Sequence, residues 1–191
     1  MKCALCKHKK CYEGHDCFPD RAMDKSEPSA EDRQLMQTAA AVEAEGYLRW
    51  TRLEEIIEFA KRMGYRKLGV AFCIGFSEEA RVVHEILADH FEVYSICCKA
   101  YGIKKNELGY PHVRPEKENE VACNPLGQAH LLAQAGTEMN VILGLCVGHD
   151  MLFTRHSQAP VTTLAVKDRV LAHNPLGVIY SAYQRRARFN H

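Results

Sequence analysis

Apolar and polar positions change rhythm along the chain. Glu31–Glu45 is Ala-rich with strong helix formers, and Leu53, Ile56, Ile57 and Ala60 make an apolar stripe at helical spacing within Arg52–Met63. Thr51 stands where a helix is capped and Gly64 where one stops, so two packing helices are expected. From residue 67 short, almost unbroken apolar runs alternate with helical stretches. Leu68–Cys73, Phe91–Cys98, Val141–Cys146 and Val161–Val166 read as strands. Helices are expected from Ser77, with Glu78 and Glu79 in the first turn, where the helix dipole favours acids. Others are expected over Asn124–Ala135, with Asn124 as cap and Pro125 first in the helix, over Gly148–His156, and over Asn174–Arg186. Lys104–Glu120, which holds Pro111 and Pro115, reads as a polar loop.

Continuous apolar strands separated by helices indicate a parallel sheet covered on both faces. The fold expected is therefore α/β: a three-layer Rossmann-like or flavodoxin-like, mostly parallel sheet over residues 64–191. A helical segment over 31–63 packs on it, and a cysteine-rich arm, 1–30, precedes that, with Asp24–Ser29 as linker. An internal echo, Cys123-Asn-Pro-Leu-Gly127 and His173-Asn-Pro-Leu-Gly177, sets a candidate ligand or acid–base side chain before each helix start, and chance or shared helix-start chemistry explains it.

Composition narrows the classes. The 191 residues are 47% hydrophobic and 26% charged, the balance of a chain that buries a core. A formal charge of +1 gives no long-range steering toward a polyanion, which argues against nucleic acid as a partner. The opening MKCALCKHKK lacks the apolar stretch of a signal peptide, and no apolar run approaches the ~20 residues that span a bilayer. A cytoplasmic protein without membrane contact is expected; the oligomeric state does not follow.

Cysteine is the informative residue. There are nine, an odd number below the density of a disulfide scaffold, and in a reducing compartment clustered thiols read as ligands or reactive groups. Cys3, Cys6, Cys11 and Cys17 follow C-x2-C-x4-C-x5-C, spacing that resembles a zinc knuckle and lets four thiolates close on one ion. His8 or His15 can replace a thiolate. Zinc is the favoured ion and a 4Fe–4S cluster the rival. Lys2, Lys7, Lys9 and Lys10 read as solvated charges, without an aromatic stacking platform.

A second constellation lies at the expected strand ends, where sites form in parallel sheets. Cys73, Cys97-Cys98-Lys99, Cys146-Val-Gly-His149-Asp150 and Lys167-Asp168-Arg169 all stand there, and Cys123 precedes a helix that starts from the same edge. Cys73, Cys98, Cys123 and Cys146 can hold a second metal or a 4Fe–4S centre. Alternatively, Cys146 acts as nucleophile with His149 as base and Asp150 behind it, while Lys167 and Arg169 clamp a small anionic ligand and Asp168 orients one of them. Cys123 beside a helix start is a further candidate for a depressed pKa. The plainer reading makes these cysteines small buried hydrophobes and the charges mere strand exits. Neither G-x-G-x-x-G nor a P-loop occurs, so a nucleotide is not indicated.

The amino-terminal cysteines, Cys123-Asn-Pro-Leu-Gly-Gln-Ala129, Gly144-Leu-Cys-Val-Gly-His-Asp150 and Lys167-Asp-Arg-Val-Leu-Ala-His-Asn-Pro175 together resemble an uncharacterised prokaryotic "metal-binding protein" family, a domain of unknown function. The resemblance covers essentially the whole chain. It implies metal binding by cysteines and occurrence in anaerobic bacteria and archaea, with no established reaction. The leading expectation is a metal-binding protein with a cysteine site in the arm and a thiol-rich functional site at the sheet edge. An iron–sulfur redox protein, a thiol-dependent enzyme, and a zinc-arm module that senses metal or docks a macromolecule are the alternatives.

Overall fold

Residues 2–18 and 28–191 are described by the computed structural model; most of the expected Asp24–Ser29 linker lies outside them. The chain divides into two units, residues 1–36 and 37–191. The first holds two short 3-10 turns, Cys3–Leu5 and Lys10–Glu13, and the start of helix α1 (Ala30–Gly46).

The second unit carries a four-stranded, wholly parallel sheet: β1 (Lys67–Phe72), β2 (Glu92–Cys97), β3 (Met139–Leu143) and β4 (Val161–Ala165), in the order β2-β1-β3-β4. Helix α2 (Arg52–Met63) precedes β1. Its Thr51 cap and Glu54 bond reciprocally, satisfying two amides that a helix start otherwise leaves unpaired. The stripe read from the sequence reaches the core through Ile56, Ile57 and Ala60. Helix α3 (Ser77–Ala88) links β1 to β2. A short helix, α4 (Lys105–Leu108), and α5 (Pro125–Ala135) lie between β2 and β3, and α6 (His149–His156) lies between β3 and β4. The β1–β2 connection runs one way along the sheet and the next two run the other way. Right-handed crossovers therefore put α3 on one face and α5 with α6, which pack together, on the other. This is the expected three-layer, Rossmann-like α/β architecture.

The core between the layers includes Leu68, Val70, Val141, Leu132 and Phe153, all fully buried. Among the described residues no helix is long and apolar enough to cross a membrane.

Three elements differ from expectation. The loop over Lys104–Glu120 contains the single-turn helix α4, tied down where Lys105 meets Glu120 at 2.8 Å. Strand β3 begins two residues earlier than read and ends at Leu143 rather than Cys146. At its start, polar Asn140 is buried because Thr137 Oγ1 donates to it at 2.9 Å and its own amide donates to Ser157 Oγ at 2.8 Å. At its end, Gly144 turns the chain at φ +69. The closing helix is broken in two, α7 (Gly177–Tyr180) and α8 (Ala182–Phe189). Ser181 is extended between them and accepts the Gln184 N–H with its hydroxyl, starting the second helix afresh.

Candidate thiol site at the carboxyl edge of the sheet

The order of winding reverses between β1 and β3, and the carboxyl ends of strands at such a switch point are where open α/β sheets bind ligands. The residues leaving β1 are Cys73, Ile74 and Gly75. Those leaving β3 run from Gly144 to Gly148.

Backbone hydrogen bonds beyond the strands set the sulfurs side by side. The Cys73 N–H donates to Leu143 O (3.2 Å), that of Cys98 to Phe72 O (2.8 Å), and that of Asn124 to Cys98 O (2.8 Å). Cys98 is thereby held through Phe72 and Asn124, the immediate chain neighbours of Cys73 and Cys123. The Cys98 and Cys123 sulfurs are 3.7 Å apart, and Cys73 is within thiol hydrogen-bonding reach of Cys98. Cys98 is buried at 2% exposure, with the Ile74 N–H directed at its sulfur at 3.4 Å. Cys73 is buried as well, while Cys123 and Cys146 are half-buried. Asn124 caps α5 through a 2.8 Å bond from the Gly127 N–H, as the sequence predicted.

Cations stand against these sulfurs. Lys99 Nζ donates to Cys123 Sγ at 3.4 Å and to Val121 O at 2.6 Å. Arg169 donates to Cys146 Sγ at 3.0 Å, and Lys167 hydrogen-bonds Cys73. Lys167 also lies 4.2 Å over the Phe76 ring, which packs against the His173 ring at 4.3 Å as well.

The titration of the row follows from this geometry. Hydrogen bonding from Cys98, assisted by Lys99 and His149, brings the Cys123 thiol down to about 5. Hydrogen bonding from Cys98, then the Gly75 N–H and Lys167, brings Cys73 to about 5. Cys98 moves far upward, because both neighbours are better thiolates when it stays protonated and because it is buried. The arrangement favours the thiolate form at Cys73 and Cys123 and the protonated form at Cys98.

Several candidate residues are used differently from the sequence reading. Asp150 turns Oδ1 to the N–H groups of Gly148 (2.9 Å) and Met151 (2.8 Å), serving the start of α6 rather than His149. His149 acts electrostatically on Cys123. Asp168 accepts the N–H groups of Val170 and Leu171, both at 2.9 Å, and so shapes its own loop rather than aiming Lys167 or Arg169. Its N–H donates to His173 Nδ1 at 3.1 Å. Ala172 and His173 both have positive φ, so this loop is strained, and the second Asn-Pro-Leu-Gly motif does not repeat the cap of the first. Phe76 and His173 join the site although sequence reasoning gave them no role there, and Lys99, read only as part of a strand end, gains one through its contact with Cys123. Only Lys99, next to a paired cysteine at a strand end, carried a usable signal.

In the arm, all four cysteines are exposed. The N–H groups of Lys9 and His8 donate to Cys6 and lower its thiol, while desolvation and the charges of Cys11, Cys6 and Cys3 raise that of Cys17. The donor chemistry suits a thiophilic ion. The side chains as placed do not close around one, since among the described residues no group of three or more His, Cys, Asp or Glu stands in an arrangement able to hold a metal. No such group stands among the described residues of the sheet edge either, where Lys99 and Arg169 already meet two of the sulfurs.

Comparison with known families places a match to "Protein of unknown function (DUF1847)" over residues 13–164. The chain belongs to the DUF1847 family. The match spans Cys73, Cys98, Cys123 and Cys146 but, of the arm cysteines, only Cys17. A relative in the archaeon Methanocaldococcus jannaschii, the uncharacterized protein MJ0455, is 48% identical over 185 residues, covering 96% of this chain and 95% of its own length. This agrees with the expectation of an uncharacterised family found in archaea. No solved structure matches the chain.

Proposed function

We propose that this DUF1847 protein works through a thiol-dependent site at the carboxyl edge of its sheet, with Cys123 as the reacting thiolate. In this reading Cys98, Cys73 and Cys146 are its thiol partners, and Lys99, Lys167 and Arg169 draw a small anionic ligand. The observation that carries the reading is Lys99 Nζ held 3.4 Å from a half-buried sulfur that also contacts a buried thiol. Catalytic and redox cysteines sit in such electropositive, partly open surroundings, whereas structural cysteines do not.

Iodoacetamide labelling followed residue by residue tests this. An ordinary thiol, with a pKa of about 8.5, gains about 75-fold in thiolate between pH 6 and 8. Cys123, already ionised above its value of about 5, is expected to alkylate at a nearly constant rate across that range. Lys99→Met moves the inflection upward. A Cys123 rate that climbs with pH like that of an ordinary thiol rejects the reading.

The arm supports a second role, metal binding by Cys3, Cys6, Cys11 and Cys17. Amide N–H groups donated to the Cys6 sulfur favour it, because they stabilise a ligating thiolate. Protein purified without oxygen is expected to hold about one zinc per chain, the closed number for four thiolates. The double variant Cys6→Ser, Cys11→Ser is expected to lose that zinc and keep the Cys123 reactivity. Iron with acid-labile sulfide, seen as a broad band near about 400 nm, replaces zinc by a cluster. Full metal content in the double variant rejects the arm as its site.

A further inference from the structure

We propose that Cys98 and Cys123 form a redox-active dithiol that exchanges with a low-molecular-mass disulfide carrying carboxylates, Cys123 attacking and Cys98 resolving. The inference rests on the thiol reading above and specifies its substrate class and partner sulfur.

Access distinguishes the two cysteines. Cys98, at 2% exposure, cannot meet an external disulfide, whereas half-buried Cys123 can. Cys98 nevertheless lies 3.7 Å from Cys123, close to van der Waals contact between sulfurs. The Asn124 N–H bonded to Cys98 O at 2.8 Å keeps the two chain segments adjacent while the sulfurs close to the roughly 2.0 Å of a disulfide. Cys73 also neighbours Cys98 but is 6% exposed, which leaves Cys123 as the outward sulfur of the row.

The exchange balances without any other reagent. The Cys123 thiolate attacks one sulfur of the substrate disulfide, breaking its S–S bond and releasing one substrate half as thiolate. That outgoing thiolate takes the Cys98 proton. The Cys98 sulfur then attacks Cys123, forms the Cys98–Cys123 bond and expels the second half, which takes a proton from water. The substrate disulfide gains two electrons to become two thiols, and the protein dithiol loses them. Forming the mixed disulfide removes the negative charge that Lys99 faces at 3.4 Å, and a substrate carboxylate restores it. Arg169 and Lys167 on the neighbouring loop extend the same preference.

The test uses the reduced full-length chain, glutathione disulfide as probe, acid quenching, and peptide mapping by mass spectrometry. In the wild type the free thiols of Cys98 and Cys123 are expected to disappear together, with one peptide pair joined and no lasting glutathione adduct. In Cys98→Ser the reaction is expected to stop at a glutathione adduct on Cys123, and in Cys123→Ser both products vanish. Cystamine, a cationic disulfide, is expected to react at least tenfold more slowly than glutathione disulfide, and Lys99→Met to narrow that ratio. Circular dichroism checks that the variants fold. Fast alkylation of Cys123 without a Cys98–Cys123 bond overturns the dithiol while leaving the thiol site standing. Loss of that alkylation as well removes both. Equal adduct lifetimes in wild type and Cys98→Ser exclude Cys98 as the resolving thiol.

Discussion

Gly144→Ala is expected to cost about 2–5 kcal/mol of stability, whereas Gly136→Ala costs about 1–2 kcal/mol. Both glycines have nearly the same left-handed backbone, φ +69 and +70, so the conformational penalty of a side chain is shared. Their surroundings differ. A Cβ at Gly136 meets nothing within 4 Å, while one at Gly144 comes within 2.0–2.7 Å of the Phe76 ring. Phe76 is 4% exposed and held between Gly144, Lys167 and His173, so it cannot yield without moving the loop that carries Arg169. Urea denaturation of both variants, compared at the midpoint, isolates the steric part. Equal losses show that the ring moves aside freely and that this edge is softer than its packing indicates. The fold expected to suffer is also the site: the Gly144 variant is expected to lose selective Cys123 labelling before it loses its helices.

Gln128→Glu is expected to destabilise the protein by about 3–5 kcal/mol at neutral pH, the cost of leaving a buried charge unpaired. Gln128 is fully buried in α5, and its Nε2 donates to the carbonyls of Phe72 (3.1 Å) and Ile96 (2.7 Å), pinning the ends of β1 and β2. A carboxylate there presents oxygen to two carbonyl oxygens. Burial raises the folded-state pKa of the new acid above its unfolded value of about 4.3. The loss is therefore small below about 4.3, grows as pH rises through that value, and levels off above the folded-state pKa. Gln128→Met, which removes both bonds without adding charge, is expected to cost a pH-independent ~1–3 kcal/mol. Unfolding of each variant against wild type at pH 4.5 and 7.5 decides it. A Gln128→Glu deficit equal at both pH values means that solvent reaches the position and the strand ends are not sealed. Because the pinned carbonyls immediately precede Cys73 and Cys97-Cys98, loss of this clamp is expected to loosen the sulfur row as well.

Much of the fold was legible because its signals are local. The Ile56, Ile57, Ala60 stripe, the Asn124-Pro125 start and the apolar run at Leu68 each report through nearest neighbours along the chain, and each element stands where it was read. The misreadings have distant causes. Buried Asn140 hid the start of β3 because its partners, Thr137 and Ser157, belong to the turns on either side. Ser181 broke the final helix by offering its hydroxyl to Gln184, a choice that composition does not reveal.

The candidate site divides the same way. That cysteines and cations gather at the carboxyl edge follows from strand polarity, which a run of parallel β–α units imposes. The roles within the gathering do not. Asp150 looked like a partner for His149, and Asp168 for Lys167 or Arg169, yet backbone amides at a helix start and a turn claimed both carboxylates. The pairing of Cys123 with Cys98 came from a backbone bond between residues far apart in the chain.

By itself, then, the sequence determined a parallel α/β fold with a thiol-rich edge, because hydrophobic rhythm and capping chemistry act over a few residues. Only the tertiary structure decided the strand order, which sulfur is buried and which is open, and which cation faces which thiol. Those depend on hydrogen bonds such as Cys98 to Phe72 and on exclusion of water, which exist only once distant segments have met.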